Sequence, residues 1–146
     1  MVQRYRPAVD VHVILVRDGQ VLLTERQGTG YADGLCHLPS GHLEADESVL
    51  DGAAREAREE VGVTIDPADL RCVTVLHHRS PEGDGRVGFF FETTHWAGEP
   101  HNREPHKCAK LSWHRVDMLP HNTVPYCTAG IDHYRTGATF GLHGWS

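Results

Sequence analysis

Polar and apolar positions alternate most regularly near the start of the chain. Val9 to Arg17 (VDVHVILVR) is rich in β-branched residues at period two and predicts a strand. Asp18-Gly19 is a strong turn pair, so Val21 to Arg26 (VLLTER) returns as the second arm of a hairpin. Gln27 to Gly34 is a glycine-punctuated loop, and Cys36 to Pro39 is a short strand. The period then changes. From about Glu47 to Val61, Leu50, Ala53, Ala54, Ala57 and Val61 cluster on one side of a helix, while Glu56, Glu59 and Glu60, at i, i+3 and i+4, share the other. Gly62 is a good residue to end it. Leu70 to Arg79 and Arg86 to Trp96 read as an antiparallel pair about a turn at Pro81 to Gly85. After a polar loop, Ala97 to Lys107, come a strand over Lys110 to Val116, a short helical turn over Asp117 to Pro120, and a final helix from Val124 to about Thr136. The order β, β, β, helix, β, β, β, helix predicts an α/β chain whose mixed sheet is sandwiched between helices.

Composition narrows the classes. A chain of 146 residues is expected to be one domain, 1–146, able to bury a core without disulfides. Its four cysteines lack paired spacing and no apolar segment resembles a leader or membrane span, which predicts reduced thiols, a cytoplasmic location and no membrane partner. The formal charge is −6 and it is uneven. Residues 41–63 hold seven acids against Arg55 and Arg58, a net −5, which leaves −1 for the rest of the chain. Acidity concentrated in one segment suits a cation site and argues against a nucleic-acid polymer as partner. None of the twelve histidines falls in a zinc-finger or HExxH spacing.

The stretch Gly41 to Val63, GHLEADESVLDGAAREAREEVGV, carries the chemistry. The hexamer REAREE alone is what a solvated helix face looks like. Seven residue types are fixed over the whole stretch, however: Gly41, Glu47, Arg55, Glu56, Glu59, Glu60 and Gly62. At average usage a given start position would match by chance about once in 10⁸. Clustered carboxylates repel, and a hard cation such as Mg²⁺, held by a few carboxylate oxygens, waters and substrate phosphates, is the simplest compensation. This spacing resembles the Nudix box at every position. LPSGHLE (Leu38 to Glu44) and NREPHKC (Asn102 to Cys108) followed by Trp113 are similar to motifs of a MutT-like nucleoside-triphosphate pyrophosphohydrolase subgroup, with Ser40 where the family usually shows a glycine.

The resemblance implies the α/β/α Nudix fold and hydrolysis of a nucleoside or deoxynucleoside triphosphate to the monophosphate and pyrophosphate, with Mg²⁺, or Mn²⁺ in its place, as cofactor. It implies that Glu56 and Glu60 bind the metal with the Gly41 carbonyl, and that Glu59 is either a third ligand or the general base. Glu44 is an alternative base. Glu104 is a third candidate for the base and, in some relatives, a metal ligand. Arg55 orients carboxylates, four residues from both Asp51 and Glu59. Arg26, at a strand end, is expected on substrate phosphate, and His42 and Lys107 near substrate or the metal's surroundings. Many relatives are dimers, so a homodimer is compatible. Two other readings stay open: action on a differently linked nucleoside diphosphate (ADP-ribose, a dinucleoside polyphosphate, a sugar nucleotide), or a nucleotide sensor without turnover.

Overall fold

The structure, a computed structural model, describes residues 2–146. The first hairpin forms as β1 (Ala8–Arg17) and β2 (Gln20–Arg26). The single strand expected over Cys36 to Pro39 divides into β3 (Cys36–His37) and β4 (Ser40–His42). β3 pairs with β2 and β4 with β1, so the chain steps from one neighbour to the next. Pro39, which has no N–H to give a ladder, sits at the step and accepts from Val13 N through its carbonyl.

Helix α1 spans Val49–Val61, two residues shorter at its start than expected. Asp46 has φ +68°, outside the helical region, and Ser48 is the N-cap, its hydroxyl accepting from Asp51 N at 3.1 Å. Gly62 closes the helix at φ +73°, and its N–H donates to Arg58 O. A Cβ at Gly62 would also lie 2.2 Å from the His101 ring, so conformation and crowding both demand glycine.

β5 (Arg71–Arg79) and β6 (Gly85–Thr93) pair antiparallel, followed by β7 (Cys108–Arg115), α2 (Pro125–Thr136) and β8 (Phe140–His143). β6 ends at Thr93, short of Trp96, because the Thr93 hydroxyl bonds the His95 backbone and turns the chain. Residues 117–120 form a turn with no helix. β8 is an element the sequence reading left out.

The sheet runs β3-β2-β1-β6-β5-β8, with β4 added on β1 and β7 on β2. The β1–β6 and β5–β8 pairs are parallel and the rest antiparallel, so the sheet is mixed. Both of its faces are buried. Val11, Val13, Leu15, Leu22 and Phe91 pack with Ala53, Ala57 and Val61 of α1 on one face. Ile14, Val21, Leu23 and Phe90 pack with Tyr126, Cys127 and Ile131 of α2 on the other. Strand alternation thus supplies two cores, and a helix seals each. Among the described residues, no helix is long and apolar enough to cross a membrane.

Candidate active site

Once α1 turns its alanines into the sheet, Glu56, Glu59 and Glu60 must face away along β4 and the 102–108 loop. They line a cavity of about 320 Å³ together with Glu44, Arg55, Glu104, Lys107, Arg26, His37 and Ser40. The loop is held in place by backbone bonds. His101 N donates to Val61 O, Gln27 N to Lys107 O, and Lys107 N to Glu104 O, while Asn102 accepts from Glu104 N and donates to Cys108 O.

Arg55 is the hub. Its Nε and Nη2 form a fork on Glu47 at 2.9 and 2.7 Å, and Nη1 reaches Glu56 at 2.8 Å and Glu59 at 3.2 Å, with Glu44 at 3.5 Å. Nη2 also donates to the His42 carbonyl. The expected partner Asp51 is replaced by Glu47, which the turn before the helix swings back over the first turn. Hydrogen bonding from Arg55 holds the Glu47 carboxyl down at about 2. Burial pushes Glu60 well above the usual carboxylate range, partly offset by Ser40 N donating to its Oε2 at 2.8 Å. Burial also raises Glu56, and the Arg55 hydrogen bond opposes it. Gly41 backs directly onto this cluster: a Cβ there would lie 2.2 Å from Glu56 Oε1.

Of the residues singled out from the sequence, Glu44, Arg55, Glu56, Glu59, Glu60, Glu104, Lys107 and Arg26 line this one cavity. Gly41 and His42 line a second, adjoining cavity of about 600 Å³, which shares Arg26, His37 and Ser40 with the first. His42 therefore faces away from the carboxylates, with its Nε2 3.7 Å from Asp10. Arg26 sits on the partition, its Nε donating to Tyr31 O and its Nη2 to Thr29 Oγ1. His37, also on the partition, is held at about 4 by burial, with Arg26 contributing, and is neutral at pH 7.

The second cavity holds the residues that sequence reading missed. Asp10, His12, His78, Arg86 and Tyr126 line it. Asp10 and His12 are the inward polar pair of a strand otherwise made of apolar residues, a signal visible in VDVHVILVR. Burial raises the Asp10 and Tyr126 side chains and holds His12 down at about 3.

The arrangement of hard oxygen donors suits a divalent cation. Gly41 lets the Glu56 carboxylate pack directly on the β4 backbone where a Cβ would lie 2.2 Å from it, and Glu60, held by Ser40 N, has no ion-pair partner among the described residues. Among the described residues, no three His, Cys, Asp or Glu side chains converge closely enough to cage an ion, because Arg55 draws Glu56 and Glu59 to itself. Mg²⁺ needs no such cage, since it takes one or two carboxylates and completes its shell with water and substrate phosphate.

Known proteins match this description along most of the chain. The NUDIX domain family model matches residues 4–129. The phosphatase NudJ of Escherichia coli K12 is 40% identical over 141 residues, 94% of this chain and 90% of that protein. A MutT NUDIX hydrolase from Burkholderia pseudomallei superposes with a TM-score of 0.80 at 26% identity, covering 88% of this chain and 98% of its own. The MutT mutator protein of Bacillus halodurans has the same fold at a TM-score of 0.74 and 24% identity, covering 93% and 89%. With its box, its fold and a close relative all agreeing over most of its length, this chain belongs to the Nudix hydrolases.

Proposed function

We propose that the chain hydrolyses a nucleoside or deoxynucleoside triphosphate to the monophosphate and pyrophosphate, with Mg²⁺ as cofactor. The observation that carries this reading is the pair of adjoining cavities, one acidic and one walled by rings, meeting at Arg26, His37 and Ser40. Phosphates belong beside the carboxylates and the nucleoside in the larger space. Glu56, Glu60 and the Gly41 carbonyl would hold Mg²⁺, with Glu104 at the same cavity as a further candidate. When bound, the ion neutralises phosphate charge and acidifies coordinated water.

The chain's own groups do the rest. Arg26, which lines both cavities, and Lys107, in the acidic one, would supply positive charge to the phosphate chain. Glu59, half exposed and on the same helical face as Glu56, would take a proton from the attacking water. Glu44, more exposed and 3.5 Å from Arg55, is the alternative base. Arg55 fixes the carboxylates it touches and so positions them.

A second reading follows from the relative's printed name: a phosphatase releases orthophosphate. Incubating the protein with Mg²⁺ and a panel of triphosphates, diphosphates, ADP-ribose and dinucleoside polyphosphates, and identifying products by ³¹P NMR, decides between them. Pyrophosphate and monophosphate from triphosphates support the proposal. Orthophosphate alone supports the second reading, and no turnover of any triphosphate refutes the first. Glu59→Gln should lower kcat about 10²-fold or more if it is the base.

A further inference from the structure

Among the described residues, five buried side-chain polar atoms have no hydrogen-bond partner, and all five belong to residues that line the 600 Å³ cavity. They are both carboxylate oxygens of Asp10, both ring nitrogens of His12 and the hydroxyl of Tyr126. Buried groups left unpaired cost stability, and a native fold keeps them only for a reason. Asp10 is 3% exposed. The nearest basic side chains, Arg86 Nη1 and His42 Nε2, stand 3.7 Å from it, too far for a hydrogen bond. Both are partly exposed side chains, able to swing aside, whereas the neighbouring Tyr126 is buried.

The grouping is built by the sheet. Asp10 pairs with Gly88 across the β1–β6 ladder. A Cβ at Gly88 would lie 1.9 Å from the Tyr126 hydroxyl and 3.4 Å from His12 Nε2, so the glycine admits that hydroxyl beside Asp10. The wall around it is flat. His78 stacks on Tyr126 at 4.2 Å and 11°, and His12 stacks on Phe90 at 4.2 Å and 5°. Val124, Pro125 and Pro81 complete an apolar surround.

We propose that Asp10 is a specificity-determining residue that reads the substrate's heterocycle, selecting a ring whose edge presents two adjacent N–H donors. The inference rests on the nucleotide reading above and names the substrate class of that site. An ionised carboxylate offers two acceptors side by side and no donor. Its complement is a ring N–H next to an exocyclic amino group, as on guanine, reached as the ring edge displaces His42 or Arg86. Adenine and cytosine put an acceptor next to a donor, and one of their two positions would oppose an Asp10 oxygen. Tyr126 and His12, which can donate or accept, take a third polar atom of the same ring.

The test is binding, which needs no turnover: titration calorimetry of the full chain with Mg²⁺ and guanosine, inosine or adenosine 5′-monophosphate. The guanosine nucleotide should bind at least about tenfold more tightly than the other two, since inosine lacks the amino group and adenosine the ring N–H. Asp10→Asn, whose amide pairs a donor with an acceptor, should reduce that preference to under about threefold and strengthen adenosine binding, with Tm unchanged or raised. Equal binding of the three by the unaltered protein overturns the proposal without need of any variant. So does an Asp10→Asn protein that keeps the preference. Hydrolysis of triphosphates regardless of base would leave the proposed reaction standing and this inference refuted, whereas base-selective binding without triphosphate cleavage would do the reverse.

Discussion

Removing Arg55 separates the cost of clustering carboxylates from the cost of folding the rest of the chain. The guanidinium is 14% exposed and touches Glu47 and Glu56, whose side chains are 14% and 12% exposed. Its bridges to Glu44 and Glu59 lie in solvent, and screening leaves them little weight. Breaking a buried pair by deleting one partner costs about 3–5 kcal/mol. Because this network lies near the surface, about 2–3 kcal/mol is the better figure for Arg55→Ala. For a chain of this size each kcal/mol moves Tm by about 2–4 °C, so Arg55→Ala should melt about 4–12 °C lower. Arg55→Lys, which keeps the charge and loses the fork on Glu47, should fall between the two.

The same variant carries a pH signature. Glu47 titrates at about 2 when folded against an ordinary 4.5, so its contribution is fully present above pH 4.5 and is lost as pH falls toward 2. Arg55→Ala removes the cause of that depression. The Tm gap between the two proteins should therefore be widest near neutral pH and narrow on acidification, as Glu56 and then Glu47 take up protons, as followed by circular dichroism melts in metal-free buffer. A gap below about 2 °C at pH 7, or one that widens on acidification, would show that Arg55 does not hold this cluster together.

Glu60→Gln should raise Tm in metal-free buffer, because it removes a charge that burial opposes, while lowering Mg²⁺-dependent turnover about 10²-fold or more; melts and a product assay on one preparation check both. A lower Tm with unchanged turnover would make Glu60 a structural residue. Ser48→Ala removes the N-cap of α1 and should cost about 1 kcal/mol, or about 2–4 °C, with turnover intact, as a thermal melt and the same assay would show.

How far the chain could be read in advance depended on whether a signal was local. The strand β1, the hairpin turn and helix α1 announced themselves because period and turn chemistry act over a few residues. β8 did not, since Phe140–His143 is four residues long and its strand character comes from lying parallel to β5, sixty-odd residues away in sequence. The break at Pro39 was hidden for a related reason: β3 and β4 have different partners, and partner choice is tertiary. In the site, the face bearing Glu56, Glu59 and Glu60 followed from helical spacing alone. The Arg55–Glu47 fork did not, because Glu47 lies outside the helix and reaches Arg55 only through the turn at Asp46. His42 was expected near substrate or the metal's surroundings, and strand alternation sends its side chain to the cavity beside Asp10.

Two places among the described residues bury polar groups at a cost that the surrounding fold relieves at most in part. One is Glu60 with Glu56 on α1, and the other is Asp10 with His12 and Tyr126 on β1 and α2. They are not scattered. β4 runs between them, with Ser40 giving its N–H to Glu60 and Gly41 and His42 paired to β1 beside Asp10. Elsewhere the sheet mostly follows the local rules, with apolar residues on both faces and α1 capped at both ends. Sites that violate those rules are where function concentrates, since a sequence selected for stability alone would have neutralised them. The two violations have opposite demands: clustered carboxylates want a cation and the phosphates it carries, while an orphan carboxylate among stacked rings wants neutral donors. A nucleotide laid across β4 would meet both at once, its phosphates on the α1 side and its ring on the Asp10 side, passing Arg26, His37 and Ser40, which line both cavities.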